Sequence, residues 1–263
     1  MGRPATQSRA AGKQAAKADP TKRKTASGGV SKPQPRRGKA AVTKDGHHTS
    51  ARDVVAKYGG PPVNGLVDDK WPRSEIVLAD ILYALLSSAR VSHEIAIKAL
   101  ACLLDEHYQD LETLRQASWD RKTQVLTQGG YARYRERAAN FFDELVELLE
   151  DKYGGDPAKI LPDGQKGDAA RKTLTARLQE IKGLGPVATD IFIGSIQNVV
   201  PTVAPFLDAR SRKTAAQIGL GQDVDAMFAD LGRDAKEMAK LEVALTQIRF
   251  AKKEAEFTGA SSM

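Results

Sequence analysis

The residue best placed to do chemistry in this chain is an aspartate set directly before a basic helix. In Phe206-Leu207-Asp208-Ala209-Arg210-Ser211-Arg212-Lys213, Asp208 falls at the expected N-cap of a helix over 209–218. An aspartate there accepts backbone N–H bonds worth about 1 kcal/mol, and the helix N-terminus keeps its carboxylate ionised. An ionised carboxylate in such a place stabilises a developing positive charge or activates water. Capping the helix is the structural alternative, and both roles are compatible. Arg210, in the first turn, is read as a contact to phosphate.

A second segment with chemical content lies upstream, in Ile181-Lys182-Gly183-Leu184-Gly185-Pro186-Val187-Ala188-Thr189, between two amphipathic stretches. It reads as a helix, a tight turn and a second helix. Gly183 and Gly185 permit positive φ and close approach of a phosphate, and Pro186 suits the first position of a helix because its missing N–H has no partner there anyway. The amides at that helix start form an anion site. Such a turn grips a sugar–phosphate chain without reading bases.

Together these segments resemble the helix-hairpin-helix DNA glycosylases of the endonuclease III superfamily. Ile181 and Leu184 frame the first glycine in that family's pattern, Ala188-Thr189-Asp190-Ile191-Phe192 resembles its second helix, and Asp208 occupies the position of its invariant aspartate before a basic helix closing on Gly219-Leu220. The similarity covers roughly residues 74–220. It implies an all-α, two-lobed fold that takes a damaged or mismatched nucleotide of double-stranded DNA into a cleft, where Asp208 acts on the N-glycosidic bond. It further implies DNA contacts from Gly183, Leu184, Gly185 and Val187.

Leu85-Leu86-Ser87-Ser88-Ala89-Arg90 resembles the segment leading into the family's DNA-contacting loop, which usually holds a glutamine. Here Ala89 or Arg90 takes its place, and Arg90 is expected either at phosphate or the orphaned base, or as an ordinary surface arginine. Gly129-Gly130-Tyr131-Ala132-Arg133-Tyr134-Arg135 resembles a glycine-aromatic turn before a long basic helix. Tyr131 either stacks on a base or is a buried aromatic; Arg133 and Arg135 either approach phosphates or are solvated. Tyr83 either faces the base pocket or belongs to the core. Bifunctional members carry a Schiff-base lysine where this chain has Val187, so base release without strand cleavage is expected; a lyase using another amine and a noncatalytic DNA-binding module are the rivals.

These residues need helices to position them. Apolar residues recur at three- and four-residue steps, giving expected helices near 75–89, 93–106, 110–117, 119–127, 132–153, 171–182, 186–198, 209–218, 223–231 and 234–254, with Ser74 as the first N-cap. No alternating strand pattern is evident. The expected division is a tail over 1–50, one lobe from 74–200, and a terminal lobe from 51–73 with 201–263.

Of the 40 lysines and arginines, 12 lie in the first 50 residues against only Asp19 and Asp45, so that tail carries a surplus of ten charges. With few large apolar side chains, it cannot offset the entropy of ordering and is expected to be disordered; its clusters suit phosphate or a nuclear import receptor. Cys102, the single cysteine, cannot supply the four thiolates of an iron–sulfur cluster. Neither a metal nor another cofactor is expected. With no membrane span or secretory signal in the sequence, a monomeric intracellular protein is expected, nuclear in a eukaryote.

Overall fold

The computed structural model describes Gly2 and residues 49–258, and residues 49–258 all lie in one compact unit. The disordered tail expected over 1–50 falls, apart from Gly2, Thr49 and Ser50, outside the described residues. The described chain is all-α, with no strand, and no helix among the described residues is long and apolar enough to cross a membrane.

Ser50 opens α1 (Ala51–Tyr58) through a capping box with Asp53. A short 3-10 turn, Pro62–Gly65, leads toward α2 (Arg73–Ser87), which starts after Pro72 rather than at the expected Ser74 cap. Pro72 removes a donor and brings the chain in at φ −52°, so the first helical residue is Arg73. There follow α3 (His93–Asp105), α4 (Leu111–Gln116) and α5 (Trp119–Gln128), capped by Ser92, Asp110 and Ser118 respectively. The expected helix over 132–153 is divided into a 3-10 turn, Ala132–Tyr134, and α6 (Arg135–Tyr153). Next come α7 (Gly167–Leu178) and α8 (Pro186–Ile196), then α9 (Ala209–Gln217), α10 (Val224–Asp230), α11 (Ala235–Ala251) and α12 (Ala255–Thr258).

Two hydrophobic clusters organise these helices. In the first, α2 is buried on all sides from Ile76 through Leu82, apolar there except for Asp80, and packs against α3, α6 and α8, as suits a helix inside a domain. The second joins Ala51 and Val54 of α1 to Leu207, Ala215, Met227 and the face of α11 carrying Met238, Leu241, Leu245 and Ile248. The segment 62–72, expected with the terminal lobe, packs elsewhere: Val63, Leu66, Val67 and Trp71 have their apolar side chains against the first cluster.

Candidate active site

Asp208 stands where the chain passes from the first cluster, at Val203, to the second, at Leu207. The approach is tied down from two sides. Arg171 of α7 donates through Nη1 to the carbonyls of Val203 and Pro205 at 2.8 and 3.0 Å. Gln197, just past α8, binds both main-chain groups of Phe206. Asp208 then caps α9 as expected: the Ser211 N–H donates to its Oδ1 at 2.6 Å. Arg210 donates to Oδ2 through Nε at 2.9 Å, and its Nη2 lies 2.8 Å from the same oxygen as an ion pair. Burial pushes the Asp208 carboxyl upward, but the Ser211 amide and the Arg210 guanidinium outweigh it and hold the group below the usual carboxylate range. It is ionised at neutral pH while only 5% exposed.

Asp208 lines a cavity of about 180 Å³ together with Tyr83 of α2, His93 of α3 and Glu242, Arg249 and Phe250 of α11, the His93 and Phe250 rings lying 6.1 Å apart. A void of about 150 Å³ is enough to take a benzene ring, so one heterocycle is a fitting occupant. Tyr83 lines this cavity and at the same time packs against the first cluster. Its hydroxyl lies 3.5 Å from His93 Nδ1, and burial pushes the His93 imidazole down toward the neutral form. The wall beside them is the turn after Pro61-Pro62, where both Val63 and Asn64 have φ of 53°. Left-handed backbone is costly for a β-branched residue, and the buried Val63 side chain anchors it in the first cluster.

Glu242 has no counterpart in the sequence reading, which leaves it in an ordinary closing helix. Its Oε1 accepts the Ser211 hydroxyl at 2.7 Å. Burial, and then the charge of Asp208, push its carboxyl up to about 7. Asp190 is also raised, by burial and by Asp208. The available signal for Glu242 was an acid among Leu241, Val243 and Leu245 in a helix that must bury one face.

A separate groove of about 450 Å³ brings Arg90, Gly183, Gly185 and Val187 together, with Ala89 and Arg137 in the same walls. The two glycines differ. Gly183 has φ of 94°, and a Cβ there would stand 2.6 Å from the Phe141 ring, so its fold requires glycine. Gly185 has ordinary φ, and a Cβ on it meets nothing within 4 Å. It offers no side-chain cap to α8, and Pro186 has no N–H, so the first-turn amides of Val187 and Ala188 have no side-chain cap, and both residues line the groove. α7 ends at Leu178, four residues before the expected 182, because the chain turns through Leu178–Ile181 and Ile181–Leu184 backbone bonds.

Other expected contacts are placed differently. Leu184 is 2% exposed with its side chain in the first cluster, so it supports the turn from inside. Tyr131 also takes its buried alternative: it is 2% exposed, its hydroxyl donates to the Leu86 carbonyl at 3.3 Å, and burial pushes the phenol up to about 12. Tyr131 is nonetheless among the residues lining the groove, with almost none of its surface open to solvent. Arg133 lies over the Tyr134 ring at 5.2 Å and outside the groove walls. Arg135 turns back to the Ala132 carbonyl and Glu136. Arg210, half-exposed, lies at the cavity with Asp208 rather than in the groove.

Compared with protein-family models, curated proteins and solved structures, the chain finds no match.

Proposed function

We propose that this chain is a DNA glycosylase that hydrolyses the N-glycosidic bond of a damaged or mismatched base, with Asp208 as its catalytic carboxylate. One observation carries the reading: an ionised, nearly buried carboxylate lines a cavity of the size of one heterocycle, at a site also fitted with neutral imidazole and phenol groups. The nucleotide is flipped into the cavity. Asp208 stabilises positive charge on the deoxyribose or orients water as the bond breaks, and the products are a free base and an abasic site. The groove at Arg90, Gly185 and Val187 holds the phosphate chain through main-chain amides and cations. The residues lining the cavity and groove include no lysine, which favours hydrolysis over imine chemistry.

A noncatalytic binding module has one observation in its favour: both Asp208 oxygens already have hydrogen-bond donors within the fold. The two readings separate on Asp208→Asn, because Asn caps a helix as well as Asp but carries no charge. Single-turnover base release from a panel of lesion duplexes is expected to fall by about 10²–10⁴-fold, with duplex affinity kept. Full release by the variant, or none by the unaltered protein on any duplex, rejects the catalytic reading.

A further inference from the structure

Asp208 and Glu242 meet the same residue from two sides. The fully buried Ser211 gives its N–H to Asp208 Oδ1 at 2.6 Å and its hydroxyl to Glu242 Oε1 at 2.7 Å. The partners of the remaining oxygens differ in kind. Asp208 Oδ2 is held by the Arg210 guanidinium, whereas Glu242 Oε2 is buried with no hydrogen-bond partner. α8 makes room for this side chain with Gly194, where a Cβ would lie 3.1 Å from Glu242 Cγ. An unpartnered carboxylate oxygen shut from water is costly, so Glu242 is the carboxyl that keeps a proton. Two carboxyls pushed apart in this way divide into a charged group and an acid.

We propose that Glu242 is the general acid of this site, protonating the base as it departs, and that the substrates are therefore uncharged bases rather than cationic alkylated ones. The proposal rests on the glycosylase reading above. Glu242 forms part of the cavity wall, and the terminal carboxyl torsion of a glutamate is broad, so a small rotation turns its proton toward the cavity. The C1′–N electron pair leaves with the base, and the Glu242 proton passes to the departing ring nitrogen. Water adds to C1′ beside Asp208, and the proton it sheds returns through solvent to Glu242. One water is consumed, and a neutral free base and an abasic site are released. A base that is already cationic leaves without such help.

The groups around Glu242 act in both directions: burial and the charge of Asp208 favour its neutral form, and they outweigh Arg249 and the hydrogen bonds from Ser211 and the Asp208 main chain, which favour the charged one. Asp208 and Arg210 at the start of α9, Arg249 on the same helix as Glu242, and Tyr83 and His93 line the cavity with it. α8 presents Gly194 and Ser195 to the cavity, with Asp190 close to Asp208. The charges of α1 are engaged elsewhere: Arg52 with Asp230, Asp53 in the Ser50 capping box and Lys57 with Glu256.

The test is single-turnover release by the full chain from duplexes holding uracil, hypoxanthine or 8-oxoguanine, beside one holding the cationic N7-methylguanine. For an uncharged substrate the rate is expected to fall above about pH 7, where Glu242 loses its proton. Glu242→Gln should lower that rate about a hundredfold or more and abolish the fall, while changing N7-methylguanine release less than about threefold. Asp80, which titrates in the same range, gives the control: Asp80→Asn should retain the fall. Ser211→Ala removes the hydroxyl that favours the charged form and should move the fall to higher pH.

An equal loss on charged and uncharged bases, a fall that survives in Glu242→Gln or fails to move in Ser211→Ala, or release of N7-methylguanine alone overturns the proposal. If Asp208→Asn is inactive while Glu242→Gln is not, the glycosylase reading stands and this one fails. No release from any duplex by the unaltered protein removes both.

Discussion

Gln197 and Phe206 are joined by a closed pair of hydrogen bonds: the Gln197 amide donates to the Phe206 carbonyl at 3.0 Å, and the Phe206 N–H donates to Gln197 Oε1 at 3.0 Å. The glutamine is fully buried and also donates to the Gly194 carbonyl at 3.1 Å. It thereby fixes the main chain two residues before Asp208. Gln197→Leu leaves two peptide groups unpaired and is expected to cost about 2–4 kcal/mol of stability by urea unfolding. A loss below about 0.5 kcal/mol would show that these groups find other partners.

The hairpin glycines should respond in opposite ways. Gly183→Ala drives a Cβ into the Phe141 ring and strains a φ of 94°, and is expected to cost about 1–3 kcal/mol. Gly185→Ala has open space around it and should leave Tm within a degree or two. If the α8 amides hold phosphate, it should still weaken binding to duplexes of every sequence alike. Unaltered affinity in Gly185→Ala would take that surface out of the interface.

Asp80 is a buried acid away from Asp208. Burial pushes it up to about 7, against the Ser195 hydroxyl, which donates to Oδ1 at 2.8 Å. A carboxyl whose pKa is higher in the folded state binds more protons there, so stability declines as pH rises from about 4 to about 7 and is level above. Asp80→Asn should remove much of this slope. At pH 8 the variant should be more stable by about 2–4 kcal/mol, at about 1.4 kcal/mol per pH unit. A variant no more stable than the parent at pH 8 contradicts the assignment.

The basic N-terminal segment is testable by truncation after residue 48, which spares the Ser50 cap of α1. Its removal should lower nonspecific duplex affinity and flatten its salt dependence, since each phosphate neutralised adds roughly 0.9 to the log–log slope. Equal slopes with and without the segment exclude its contact with DNA.

The helices were legible wherever a local period of apolar residues marked them: α2, α3, α5 and α8 begin within two residues of expectation. α1 was not, because only Ala51 and Val54 of its eight residues are buried, and its stabilising surface is α11 at the far end of the chain. The same distinction separates the parts of the site. The N-cap role of Asp208 is written in the residues beside it, whereas Glu242 and Arg249 enter the cavity through the packing of α11 on α8 and α9, and His93 through its ring contact with Phe250, none of which any local spacing records. Tyr131 illustrates the reverse case. A tyrosine in a glycine-rich turn fits an exposed or an inward ring equally well, and only the Leu86 carbonyl decides between them.

The second cluster draws Ala51 and Val54 onto α11 from opposite ends of the described chain, while contacts within α2–α6 of the first span shorter loops. Closing the longer loop costs more chain entropy and slows the contacts that depend on it. Tyr83 and His93 can therefore be in place early in folding while Asp208 and Glu242 still lack their surroundings. The cavity wall is complete only when Glu242, Arg249 and Phe250 of α11 have come to lie beside Tyr83 and His93, which stand far earlier in the sequence.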